Sequence, residues 1–462
     1  MKDSLNFNFH LYTEIVFGKG SVGKLAELVK KYGGTKVLFV YGSGSIKKSG
    51  LYDHVKRELD AGAIPFVELG GVKANPLRSL AEKGMELARA EGTDFYLGVG
   101  GGSVIDTAKA IALAMANDGE YWPFYHGTEP PRMAPVGSIN TIAAAGSETS
   151  GSTVLVDDLE TGDKSGLMWP AVCRPVFAIM DPELTYSVSA KQTVAGAADI
   201  FSHTYMRFFS KYDSYIGDEY CIATLRTVKH FAPIARNCPS DYEARAELML
   251  SAAFSHNDLT EIGRPHKDMG GEHTIERQLS GRYDFPHGEG LAVIMPAYLK
   301  YIVAHGTARE VGRVATFGAR VFDAGTGASA GAGTGTSANA GTGASANAGT
   351  GTSASAGTGT STSAGTGTST STEFGASAGA ETKSGVNTVA TEEVKVIANE
   401  GIKRFTEWLR ALGLPTTLAE LGVPEDKMDA VAEYCVKDTG GNIRGFMNLD
   451  ANAIREIFTL AR

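Results

Sequence analysis

Short β-rich runs alternate with amphipathic stretches through the first third of the chain. TKVLFVY (35–41) is apolar and stops at a Gly/Ser cluster, and GLYDHVKRELDAG follows with apolar residues at helical spacing. IPFVELGGV reads as a strand, PLRSLAEKGMELARAEG as a helix, DFYLGVGGGS as a strand entering a glycine turn, and VIDTAKAIALAMA as a helix. Strands separated by helices of about 10–15 residues make βαβ units and a mostly parallel sheet. After about residue 183 the texture changes. DPELTYSVSAKQTVAGAADIFSHTYMRFFS, EYCIATLRTVKHFAPIARN and YEARAELMLSAAFSHNDL keep helical periodicity with no strand pattern. The pattern predicts an α/β N-terminal domain with a parallel sheet over 1–183 and an all-α domain over 184–462.

One segment breaks the second pattern. Residues 324–372 consist of Gly, Ala, Ser, Thr and Asn alone, in a loose GTGxSAxA repeat. Such a stretch cannot bury enough apolar surface to offset its ordering entropy. It reads as a flexible insert at about 324–385, placed between two helices where a long loop is tolerated; a β-solenoid or antifreeze-like repeat is the alternative, against which the period is irregular.

Composition narrows the classes of function. The formal net charge is -9, with both signs interspersed, which argues against a nucleic-acid partner. No apolar run reaches the roughly 18 residues of a membrane span, and the polar start MKDSLNFNFHLYTE lacks a signal core. Cys173, Cys221, Cys238 and Cys435 are scattered without a CxxC pair, as in a reduced, cytoplasmic protein.

Two turns are candidates for holding phosphate. Gly100, Gly101, Gly102 and Ser103 join a strand to a helix, with Asp106 one turn in and Lys109 beyond it. Glycines let a backbone approach a phosphate, and a helix N-terminus offers free N–H groups. The earlier turn Tyr41-Gly42-Ser43-Gly44-Ser45 closes another strand. An acidic residue commonly holds a ribose 2′-hydroxyl at such a place, whereas this turn carries small polar residues, Lys47 and Lys48. That favours NADP over NAD, with NAD still open. An ordinary surface turn is the plain alternative.

Asp199 and His203 are spaced i, i+4 on a helical pattern and so share a face. His273 and His287 follow in EHTIERQLSGRYDFPHGEG. One carboxylate with three imidazoles suits Fe²⁺ or Zn²⁺. Singly, a DxxxH pair is most often a surface pair and His287 a helix cap; the ensemble carries the metal reading. His10, His54, His126, His230, His256, His266 and His305 read as ordinary histidines.

The segments YGSGSIKKSGLYD (41–53), GGGSVIDTAKAIA (100–112), TIAAAGSE (141–148), DPELTYSVSAKQTVAGAADIFSHTY (181–205) and YDFPHGEG (283–290) together resemble the iron-containing alcohol dehydrogenase family, near its butanol dehydrogenase-like branch. The resemblance spans the chain apart from the insert. It implies a dehydroquinate synthase-like two-domain plan with catalysis in the cleft. It maps metal ligands onto Asp199, His203, His273 and His287, and the pyrophosphate loop onto Gly101, Gly102 and Ser103. Thr141 and Leu184 match positions lining the cofactor site; Gly42, Ser43 and Ser45 match the ribose turn of NADP-using relatives. Two departures stand out. Arg277 replaces a histidine that the family places near the nicotinamide for proton transfer, and arginine cannot exchange a proton at neutral pH. Met206 replaces a residue that is often acidic.

The sequence thus predicts a cytoplasmic enzyme moving hydride between NADP(H) and a small primary alcohol or aldehyde. Its expected catalytic set is Asp199, His203, His273, His287 and Arg277, and a homo-oligomer, a dimer, is expected. A glycerol dehydrogenase-like polyol oxidoreductase, a dehydroquinate synthase-like lyase, and a catalytically impaired NADP-binding or scaffold protein are the alternatives.

Overall fold

The computed structural model describes residues 7, 9–264, 270–325, 389–437 and 440–462. The low-complexity insert, apart from its first two residues, and His266 lie outside the described residues.

Six strands form one sheet: β1 (Glu14–Phe17), β2 (Val37–Gly42), β3 (Phe66–Val72), β4 (Phe95–Gly100), β5 (Val136–Asn140) and β8 (Phe177–Met180). Two more, β6 (Ser152–Val156) and β7 (Lys164–Met168), pair as a separate antiparallel hairpin. The sheet order is β1-β8-β5-β4-β2-β3 and every pairing in it is parallel. β2, β4, β5 and β8 lie inside, and their side chains are almost wholly buried. That explains why TKVLFVY and DFYLGV run apolar without alternation. From β2 the chain winds outward to β3, and from β4 it winds the other way to β5 and β8. The winding reverses between β2 and β4, so a crevice opens there beyond the carboxyl ends of both strands.

The helix Gly102–Ala116 rises directly from β4 and buries most of its apolar surface, including Ile105, Ile111 and Leu113. Helices Leu51–Ala61 and Arg78–Glu91 are amphipathic and cover the sheet with one face each. The sequence reading placed β2, β3, β4 and these three helices. β1, β5 and β8 escaped it because they are four or five residues long and lack alternation. The β6–β7 hairpin escaped because its turn over 157–163 is longer than a tight two-residue hairpin turn.

From Ala190 onward the described residues contain helices and no named strand; one isolated bridge joins Ile443 to Leu449. The helix Ala190–Phe208 opens with Ser189, whose side chain accepts the Gln192 N–H, a normal N-cap. It buries all residues from Ala197 to Phe208, so it is the axis of the helical lobe. Tyr215–Asn237, Tyr242–Ser255, Gly271–Tyr283, His287–His305, Ala308–Phe322 and Glu392–Ala411 surround it. The last two pack so closely that a Cβ on Gly401 would stand 2.4 Å from the Gly318 Cα.

Candidate metal and dinucleotide site

Three helices bring the predicted ligands together. Asp199 and His203 project from one face of Ala190–Phe208, His273 sits in the first turn of Gly271–Tyr283, and His287 opens His287–His305. Metal-capable atoms of Asp199, His203 and His273 all lie within 4.8 Å of one another. His287 faces the same carboxylate, its Nε2 3.8 Å from Asp199 Oδ1, while His203 Nε2 stands 3.7 Å from that oxygen. The approach of His287 depends on glycine: a Cβ on Gly288 would fall 2.0 Å from the Ala195 carbonyl oxygen.

The cluster is short of partners. Asp199 Oδ1 and His203 Nδ1 are buried and accept or donate no hydrogen bond, a condition that costs free energy unless a ligand compensates. Burial pushes the Asp199 pKa up, against the charges of His287 and His273. Burial, reinforced by His256 and His273, pushes His203 well below its usual value. A neutral imidazole with a free lone pair is the form that ligates. The donor set therefore fits a divalent transition ion.

Carboxylates behind the ligands were not foreseen. Glu276 is fully buried and its Oε2 abuts His287 Nδ1. Burial lowers the His287 pKa, but Glu276 and Asp199 together outweigh it and the net direction is up. Glu272, also buried, lies 3.3 Å from His273 Nδ1. Each turns an imidazole so that Nε2 faces the cluster, the usual way a ligating histidine is oriented. A spacing signal existed, since Glu272 and Glu276 flank His273 on one helix. His256 was read as ordinary, yet its ring lies 4.4 Å from that of His203 and its Nδ1 is 2.8 Å from the Ala145 carbonyl oxygen. Met206 is buried near Gly270, at the entrance to the His273 helix. Arg277 is solvent-exposed one turn beyond His273.

Both predicted turns flank the crevice between β2 and β4. Gly42 ends β2, and Ser45 starts the short helix Ser45–Lys48 with Ser43 in the turn between. Gly101 caps Gly102–Ala116, placing Gly102 and Ser103 in its first turn. Thr141 follows β5, its N–H donating to the Gly100 carbonyl. Leu184 lines a surface cavity of about 480 Å³ with Lys19, Ser49 and His54. Asp106 does a different job from the one its position beside the turn suggests. Its Oδ1 accepts from Ser147 Oγ at 2.6 Å and its Oδ2 from the Val154 N–H at 3.1 Å, so it ties the 147–154 segment to the helix that follows the glycine turn. Lys109 reinforces that tie. Wholly buried, its Nζ donates to the carbonyls of Ser147, Ser150 and Ser152 and to Ser147 Oγ at 2.7–3.0 Å.

A doubly wound dinucleotide crevice beside a carboxylate–histidine cluster defines a metal-dependent NAD(P) oxidoreductase. Family models agree: iron-containing alcohol dehydrogenase matches residues 13–182, and the C-terminal region of the Fe-containing alcohol dehydrogenase family matches 193–339. The chain belongs to the iron-containing alcohol dehydrogenase family. It is 32% identical to NADH-dependent butanol dehydrogenase A of Clostridium acetobutylicum over 98% of this chain and 99% of that one. It is 35% identical to the NADPH-dependent aldehyde reductase YqhD of Escherichia coli over 63% and 75%. The crystal structure of NADH-dependent butanol dehydrogenase A from Thermotoga maritima matches with a TM-score of 0.78 at 31% identity, covering 99% and 98% of the two chains.

Proposed function

We propose that the chain reduces short aldehydes with NADPH, and oxidises the corresponding primary alcohols, at a metal held by Asp199, His203, His273 and His287. The observation that carries this reading is the convergence of four N and O donors from three helices, with buried atoms of Asp199 and His203 lacking any partner. A bound Fe²⁺ or Zn²⁺ would supply Lewis-acid polarisation of the substrate oxygen. The Gly101–Ser103 turn and the N-terminus of its helix would bind the pyrophosphate, and Thr141 and Leu184 would line the rest of the dinucleotide. Asp106 and Lys109 would keep that turn rigid. Glu272 and Glu276 would hold the imidazoles in register. Arg277 cannot relay a proton at neutral pH, so the product's proton would arrive from water in the open cleft.

NADP is favoured by the turn after β2. Gly42, Ser43 and Ser45 put no acidic side chain in the turn to repel a 2′-phosphate, and Lys47 lies 5.0 and 4.7 Å from the ring centroids of Tyr41 and Tyr52. Glu68, a carboxylate close by, is engaged by Tyr41, Tyr52 and Lys56. Relatives named for either cofactor leave NAD as the alternative.

No described helix is long and apolar enough to cross a membrane, and the four cysteines are unpaired, which suits a reducing cytoplasm. β1 is an edge strand preceded by exposed Phe9, Leu11 and Tyr12; such an edge suits pairing with a second copy, in support of a homodimer. The test is NADPH consumption with a panel of short aldehydes, comparing chelated protein with protein given Fe²⁺ or Zn²⁺. Metal-restored turnover is expected. NADPH binding without turnover under any metal would defeat the proposal.

A further inference from the structure

Arg277 lies four residues after His273 on the helix Gly271–Tyr283, so the two side chains leave one face about 5–6 Å apart at Cβ. One turn further, a Cβ on Gly281 would meet nothing within 4 Å. The far end of this strip, at Gly281, therefore faces open space. The Arg277 side chain is exposed, and no hydrogen bond or ion pair engages it among the described residues. Glu276 beside it is turned inward onto His287. By contrast Arg282, on the same helix, stacks on Tyr434 with its guanidinium 3.7 Å from the ring centroid.

An arginine outside any ion pair among the described residues thus lies one helical turn from a residue of the ligand cluster. A small neutral aldehyde offers it no partner in charge. A carboxylate offers the arginine fork two parallel acceptors.

We infer that Arg277 is a specificity residue, selecting aldehydes and alcohols that carry a carboxylate a few bonds from the reacting carbon. This rests on the proposed function and narrows its substrate class. The carboxylate would meet the guanidinium while the aldehyde oxygen faces the cluster; a short ω-carboxy aldehyde spans the roughly 5–6 Å set by one helical turn.

The experiment compares kcat/KM for succinate semialdehyde and butanal, which have the same carbon number and differ at the far end. Iron-loaded wild type, Arg277→Leu and Arg277→Lys are measured with NADPH. The wild type is expected to favour the semialdehyde at least about tenfold, as a charge-assisted bond implies. In R277L that ratio should fall at least about tenfold, mainly through KM, and R277K should be intermediate. In parallel, succinate should raise the melting temperature of cofactor-free wild type and not that of R277L. A wild-type ratio of one or below, or a ratio that R277L leaves unchanged, would overturn the inference. So would an R277L defect confined to the KM for NADPH, which would assign the guanidinium to cofactor phosphate. If the wild type turns over no aldehyde, the proposed function fails, and the succinate shift and its loss in R277L still decide the role of Arg277.

Discussion

Two clusters of buried polar side chains border the crevice, and they are finished differently. In the α/β lobe, the Lys109 ammonium meets four oxygen acceptors and Asp106 accepts from both a hydroxyl and a backbone N–H. In the helical lobe, Asp199 Oδ1 and His203 Nδ1 are buried with nothing to bond. A satisfied cluster holds a loop in place and gains stability from doing so. An unsatisfied one costs stability and persists where a ligand completes it. The first is a brace and the second a socket, although both would score as buried charge.

Four substitutions probe that difference, taken from the largest expected effect. Asp199→Ala should abolish bound iron and lower aldehyde turnover by roughly 10³-fold, read by metal analysis and NADPH assay. The metal-free variant should melt no lower than metal-free wild type, because a buried carboxylate whose Oδ1 accepts no hydrogen bond has been removed. A lower melting temperature would make Asp199 part of the brace. Lys109→Met should do the opposite. It strands three carbonyls and removes the charge that acts on Asp106, so denaturant unfolding should show a loss of about 3 kcal/mol whether or not metal is present. Glu276→Gln keeps the shape and removes the charge behind His287. Chelator competition should show about 10–100-fold weaker metal binding, with metal-free stability little changed.

The smallest effect concerns Glu148, the flaw in the brace. Its Oε1 is buried without a partner, and burial pushes its pKa up to about 7, opposed in part by Lys109 and Asn140. The native value lies above the reference of 4.5, so the folded state holds this proton more tightly than the unfolded one. The resulting stability is full below that reference and is lost as pH rises through about 7. Glu148→Gln should flatten the fall, gaining about 1–3 kcal/mol on wild type over that window. Parallel pH profiles for the two proteins would show that Glu148 does not titrate in this range.

The same contrast explains what the sequence disclosed. Asp199 and His203 announce themselves by i, i+4 spacing, and the glycine turns by their place between a strand and a helix. His273 and His287 joined them only as an ensemble of metal-capable residue types, strengthened by family resemblance, since no local pattern links helices more than sixty positions apart. Glu272 and Glu276 gave only the weak signal of flanking His273, and His256 acquires meaning only when packing sets it beside a ligand. Asp106 was legible as a neighbour of the phosphate turn but not as its fastening, because Ser147 and Val154 reach it across some forty residues of intervening chain. Short strands such as β5 and β8 hold too few residues to show a period.

The contact between Gly318 and Gly401 has a consequence for engineering. These two helices carry the chain out to residue 325 and take it up again from residue 389, and their closeness is set by backbone against backbone rather than by anything between them. Gly325 already packs on Ile397, with the nearest atom 3.2 Å from an added Cβ, and Ala390 is buried. The exit and the return are therefore each anchored independently of what joins them. Loop-closure entropy grows only slowly with length, so this junction is a port: a reporter domain or affinity handle could replace the Gly/Thr/Ser/Ala stretch while the helical lobe keeps its own frame.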